Sequence, residues 1–201
     1  MTHRPFRLGL TGSIGMGKST VAGVARTLGI PVFDADAQVH ALQGPGGGLV
    51  SAIEARFPGT TGPGGVDRQA LGARVIGQPA ELAALEAIVH PAVAAQRRAF
   101  LRRHAGHRLV LLDIPLLFET GLDDWVDAVA VVSAPAFLQR RRVLRRPGMT
   151  AAKLRALLRS QRPDHLKRMA ADVLIETGRP KWQTRAQVAR LLACLRAAQA
   201  R

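Results

Sequence analysis

Eight consecutive residues near the start of the chain, Gly12-Ser13-Ile14-Gly15-Met16-Gly17-Lys18-Ser19, meet every specified position of the pattern G-x-x-x-x-G-K-[ST]. Glycines at these spacings let the backbone curl, so that successive N–H groups face inward toward phosphate oxygens. The positive end of a following helix adds to that attraction. Lys18 is then placed to bridge β- and γ-phosphates and the Ser19 hydroxyl to ligate Mg²⁺, with Thr20 next to it. A loop that served only as a tight turn would not call for Lys-Ser at its end.

Carboxylates recur at two later places. Asp34-Ala35-Asp36 follows an apolar run, residues 30–33, and Asp113 follows another, residues 109–112. The C-terminal ends of strands are where ligands bind in open α/β sheets. Asp113 reads as an aspartate that holds Mg²⁺ through water, with a helix-capping or turn role as the alternative. Asp34 and Asp36 fall on one side of an extended chain, so spacing does not choose between them. A basic stretch adds Gln139, Arg140, Arg141, Arg142, Arg145 and Arg146, then Arg155, Arg159 and Arg162. Such a stripe suits a lid that brings cations to a transferring phosphoryl group, or else a solvated face in an Arg-rich chain.

The elements that must position these groups are readable from periodicity. Residues 7–11 form a short apolar run into the glycines, a buried strand. Residues 18–28 carry helical spacing, with Val21, Val24, Ala25 and Leu28 on one face and Gly29 at the stop. With residues 30–33 as a second strand, this is a parallel βαβ unit. Turn-rich 44–48 and 59–65 then separate helical stretches at 49–57 and 82–101. Pro91 is expected to kink the latter or to begin a new helix. Residues 108–113, 128–133 and 173–175 read as strands, 136–168 as a basic helical stretch broken at Pro147-Gly148, and 183–200 as a closing helix. The prediction is an α/β, P-loop kinase three-layer fold, with a parallel sheet core, a helical substrate-binding insertion and a helical lid. The expected division is 1–36, 107–135 and 169–201 for the nucleotide-binding core, 37–106 for the acceptor domain and 136–168 for the lid.

The chain has 201 residues, of which 47% are hydrophobic, enough for one compact α/β domain with insertions. Its single cysteine, Cys194, rules out an internal disulfide framework and a Cys-based zinc site. No stretch approaches the roughly 18 apolar residues a membrane span needs, and the basic start, residues 1–7, leads into a run that stops at Gly9. A soluble, cytoplasmic protein with no membrane partner is expected. The formal charge is +15, from 29 Lys and Arg against 14 Asp and Glu. That excess attracts polyanions, or reflects an Arg- and Ala-biased composition. At 4% aromatic and without tyrosine, the chain offers few platforms for nucleic acid, and none is expected as a partner.

Along almost its whole length the sequence resembles the dephospho-CoA kinase family. The resemblance runs through residues 10–22 (LTGSIGMGKSTVA), Asp34-Ala35-Asp36, Val66-Asp67-Arg68 and His90-Pro91. It continues through Asp113-Ile114-Pro115-Leu116-Leu117-Phe118-Glu119, Gln139 with Arg142 and Arg146, Gln161, Lys167-Arg168 and residues 171–175 (ADVLI). Residues 113–119 are the most diagnostic. Three positions depart from the family pattern: Ser13 in place of a second glycine, Pro147 after the lid arginine, and Glu176-Thr177-Gly178 after the last strand.

The resemblance implies transfer of the ATP γ-phosphate to the ribose 3′-hydroxyl of dephospho-CoA, with Mg²⁺, by a monomer, an oligomer being left open. It implies Asp36 at the acceptor hydroxyl, with Lys18, Arg146 and Thr11 also catalytic and Asp34 a strand-end partner near the acceptor. Arg142 would join residues 12–20 in holding ATP. Arg68, His90, Asp113, Pro115, Leu116, Phe118 and Glu119 would line the acceptor side. A histidine bonded within the insertion at a helix start is the other reading of His90. The rival functions are a kinase of nucleoside monophosphates or sugars, against which residues 113–119 argue, and a nucleic-acid-binding ATPase.

Overall fold

The structure, a computed structural model, describes residues 4–199. The chain divides into two compact units, residues 1–33 with 104–201, and residues 34–103.

The first unit is built on strands too apolar to face water. β1 (Phe6–Thr11), β5 (Leu109–Asp113) and β6 (Ala128–Ser133) are buried along nearly their full lengths. Parallel strands covered on both faces read as continuous apolar runs rather than alternating ones. β1 pairs in parallel with β5 and with β6, setting Leu8 opposite Leu111 on one side and Ala128 on the other. β6 pairs in parallel with β7 (Val173–Glu176). With β2 (Val32–Asp34) the sheet order is β2-β5-β1-β6-β7, so β1 is central and delivers residue 12 to the middle of the sheet's C-terminal edge.

α1 (Lys18–Thr27) buries Val21, Ala22 and Ala25 in a core with Leu8, Leu10, Leu111 and Val132. Val188 and Leu192 of α9 (Lys181–Ala198) complete it. Truncating a side chain such as Leu10 to alanine there is expected to cost about 2–5 kcal/mol. The basic stretch forms three helices, α6 (Ala136–Leu144), α7 (Ala151–Arg159) and α8 (Asp164–Met169). The break at Pro147-Gly148 falls between the first two. The expected end of the closing helix at Ala200 lies outside the described residues.

The second unit has its own core of Leu49, Ile53, Phe57, Leu71 and Val75. It contains α2 (Ala35–Gln43), α3 (Val50–Arg56), a short hairpin of β3 (Thr61–Gly62) and β4 (Gly65–Val66), α4 (Arg68–Val75) and α5 (Pro79–Arg103). The hairpin inside the glycine-rich turn was not expected from sequence. Nor does Pro91 begin a helix: α5 runs through it for 25 residues. Proline removes the N–H that the Ala87 carbonyl would receive. The helix persists because Leu85, Ile88, Val89 and Ala92, on both sides of that lost bond, pack against the core.

Candidate functional site

The loop joining β1 to α1 is shaped by what surrounds it. Gly12 has φ +155°, and a Cβ there would stand 2.5 Å from the Val132 carbonyl oxygen. At Gly15, φ +79°, it would stand 2.4 Å from Val143 of α6. Any side chain at either position pushes the loop off its neighbours. Ser13, where the family pattern has glycine, is buried, and its carbonyl accepts from Met16 N at 3.1 Å.

Two glutamines hold the next peptide groups. Gln139 donates to the Ile14 carbonyl at 2.9 Å, and the Ile14 N–H donates to Gln161 at 3.3 Å. Thr177, one residue past β7, donates its hydroxyl to the Met16 carbonyl. Arg142 in turn donates to the Thr177 hydroxyl at 3.1 Å and to its carbonyl at 2.6 Å. The Ala134 N–H meets the Met16 sulfur at 3.1 Å. The loop is thereby fixed by α6, by the ends of β6 and β7, and by the segment after α7.

The N-terminus of α1 is left open to a ligand. Gly17 caps it with no side-chain hydrogen bond, and its first turn has no acidic residue. Asp34, Asp67 and Thr150 cap α2, α4 and α7 with side chains. α3, α6, α8 and α9 lack such caps too, so what sets α1 apart is the glycine loop that leads into it and Lys18 at its start. Free N–H groups and the positive end of the helix dipole therefore face outward at α1. Beside them the Lys18 ammonium is ion-paired with Asp113. Asp113 is the last residue of β5 and is buried, so it caps no helix. Ser19 and Arg146 are exposed, and among the described residues the Arg146 side chain has no polar partner.

Residues 114–119 form a loop tied down at both ends. Thr11, fully buried, donates its hydroxyl to the Pro115 carbonyl at 2.9 Å, and Ile114 N donates to the Leu10 carbonyl. Leu117 is buried, Leu116 is 40% exposed, and the Arg162 guanidinium lies 5.1 Å over the Phe118 ring. Glu119 lies 2.8 Å from the Lys167 ammonium and accepts from Arg162 N at 2.8 Å. Burial pushes the Glu119 carboxyl up, but the Lys167 ammonium beside it and the hydrogen bond from the Arg162 N–H outweigh it and leave it below the usual carboxylate range.

Within the second unit, Asp34 accepts from Ala37 N at 3.0 Å while Asp36, in the first turn of α2, is exposed. Arg68 opens α4 and stands 3.3 Å from the His40 ring. His90 is exposed in mid-α5, not at a helix start.

The first unit thus brings together Lys18, Asp113, Thr11, Pro115 and the loop residues 12–17. Arg142 lies on the protein side of that loop, bonded to Thr177. The role of Thr177 as anchor was missed. Its signal was its place one residue beyond an apolar strand, beside Gly178. Among the described residues no group of three His, Cys, Asp or Glu side chains could hold a metal ion. A hard cation that keeps most of its ligands as water and phosphate oxygens needs no such cluster, and the oxygens of Ser19 and Asp113 suit it.

A family model described as dephospho-CoA kinase matches residues 6–180. A dephospho-CoA kinase of Novosphingobium aromaticivorans is 61% identical over 193 residues, 96% of each chain. Among solved structures, a Thermus thermophilus protein superposes with a TM-score of 0.85 at 34% identity, covering 95% of this chain and 97% of its own. A dephospho-CoA kinase from Campylobacter jejuni shares the fold at a TM-score of 0.66 and 22% identity, over 95% of this chain and 97% of that one.

Proposed function

The chain belongs to the dephospho-CoA kinase family, and from that premise we propose that it transfers the γ-phosphoryl group of ATP to the ribose 3′-hydroxyl of 3′-dephospho-CoA, giving ADP and CoA. The observation that carries the proposal is the open N-terminus of α1, with Lys18 and Asp113 joined beside it.

On this reading the N–H groups of Gly15 and of residues 17–19 donate to the phosphate oxygens, those of Ile14 and Met16 being engaged by Gln161 and the Ser13 carbonyl. Lys18 turns from Asp113 toward the β- and γ-phosphates, where its charge counts most as the bridging bond breaks. Ser19 and, through water, Asp113 would hold Mg²⁺, which would supply further neutralisation of phosphate charge. The acceptor oxygen forms a bond to the γ-phosphorus while the bond from that phosphorus to the β–γ bridging oxygen breaks, and ADP leaves. Asp36 orients the hydroxyl and takes its proton late, since loose phosphoryl transfer needs little early base help. Arg146, exposed and unpartnered, is the cation free to approach the moving phosphoryl group. Pro115, Leu116 and Phe118 bind on the acceptor side with Arg68 and His90, and Thr11 fixes the Pro115 carbonyl. The reading carries with it a cytoplasmic monomer.

The test is ADP release with ATP and Mg²⁺ in the presence of dephospho-CoA, AMP, adenosine, DNA or RNA. Dephospho-CoA is expected to win by kcat/KM, because its pantetheine arm adds binding energy that positions the hydroxyl. A better rate with AMP, or stimulation by nucleic acid alone, would reject the proposal.

A further inference from the structure

Among the described residues, Lys167 heads the fully buried side chains by volume, at 0% exposure. An ammonium group taken out of water is tolerated only with a well-placed countercharge. That countercharge is Glu119, 2.8 Å away, whose carboxylate also accepts the Arg162 N–H. α8, which carries Lys167, is itself tied to the sheet: Asp164 accepts from the Ser133 hydroxyl at 2.7 Å, at the end of β6.

The 114–119 loop is therefore pinned to β1 at one end, through Thr11 and Leu10, and to a buried cation at the other. Between the pins stand Leu116, exposed, and Phe118, with the Arg162 guanidinium over its ring. We propose that Lys167 is a positioning residue for the acceptor: through Glu119 it sets where Leu116 and Phe118 stand, and so how dephospho-CoA is held. It does not touch the reacting atoms. This rests on the dephospho-CoA reading above.

A pair that only stabilised the fold would not separate one substrate from the other. Replacing both charges of a buried pair with neutral groups is often near-neutral for stability, whereas removing one is costly. The experiment compares Lys167→Met, Glu119→Gln and the double variant in thermal melts and in steady-state kinetics with each substrate varied. The double variant is expected to melt close to wild type, with KM for dephospho-CoA raised about tenfold or more and KM for ATP within about twofold. The single variants show the same split at lower melting temperatures. A double variant with wild-type acceptor KM, or with both KM values rising together, would overturn the proposal. So would failure of all three variants to fold, which would assign the pair to stability. A wild-type protein inert toward dephospho-CoA would instead end the reading on which the proposal rests.

Discussion

The seam between the phosphate loop and α6 and the arginine stretch that leads away from it use one side chain in opposite ways. Arg142 is committed, its guanidinium bonded to the hydroxyl and carbonyl of Thr177. Arg140, Arg141, Arg145, Arg146, Arg155 and Arg159 are exposed. Among the described residues none of these six has a side-chain partner. A guanidinium already satisfied by protein holds geometry. One still facing water keeps its donors for an anion that arrives later, and exposed charges add little to stability in the meantime. The acidic side divides in the same manner: Asp34 is engaged as the cap of α2, and Asp36 two residues on is exposed.

The largest effect should come from Lys18, which stands on both sides of this divide: paired in the structure, required by phosphate in the reaction. Lys18→Ala is expected to lower turnover by two or more orders of magnitude, roughly 3 kcal/mol of lost electrostatic stabilisation. Near-normal rates would remove the phosphate assignment altogether. Next comes the acidic pair. Asp36→Asn should cut kcat by about tenfold to a hundredfold with ATP affinity kept, because an amide cannot take the proton. Asp34→Asn should stay active, since asparagine caps helices nearly as well as aspartate. The opposite result, in well-folded protein, would exchange their roles.

The arginines give the direct test of the comparison. Arg146→Ala is expected to lower kcat about tenfold and leave the melting temperature unchanged. Arg142→Ala should lower stability by about 1–3 kcal/mol for the bonds to Thr177, seen as a lower melting temperature, and weaken ATP binding through the displaced loop. If the two variants behave alike in melts, the distinction fails.

The smallest effect is a control away from the loop. Arg7 is committed much as Arg142 is, its Nη2 2.9 Å from Asp127. Burial pushes the Asp127 carboxyl up, but Arg7, through side chain and backbone, and Arg4 bring it below the usual carboxylate range. A carboxylate depressed in the folded state contributes stability that is whole above its unfolded pKa and is lost as pH falls through the folded one. Asp127→Asn should therefore lower the melting temperature by about 2–4 °C at neutral pH and flatten its decline in acid, with kinetics untouched. A change in kcat would show that this arginine also matters to the site.

Much of this was legible in the sequence because it is local. The glycine spacing of residues 12–17, the unbroken apolar runs of β5 and β6 and the break at Pro147-Gly148 each declare themselves within a few residues. What stayed hidden depends on distant partners. The Thr177 hydroxyl meets the Met16 carbonyl across 161 positions, and its place past an apolar strand, beside Gly178, marks a turn without naming that partner. Lys167 has the composition of a surface residue in a basic helix, yet it is wholly buried because Glu119 awaits it. Of the two outcomes expected at Pro91, a new helix does not occur: α5 continues through it, held by packing on both sides.

The central place of β1 has a consequence in time. Its two neighbours in the sheet begin at Leu109 and Ala128, so the first strand of the sheet to be made waits longest for a partner. At roughly 5–20 residues per second, Leu8 and Leu10 wait on the order of 5–20 seconds for β5 to be synthesised. Residues 34–103, contiguous and with a core of their own, are complete before that strand appears. Pulse-labelled hydrogen exchange during refolding would read the same order, the amides of α5 protected early and those of Leu8 and Leu10 late. Early protection of β1 would mean that the chain finds its long-range pairings before its local ones.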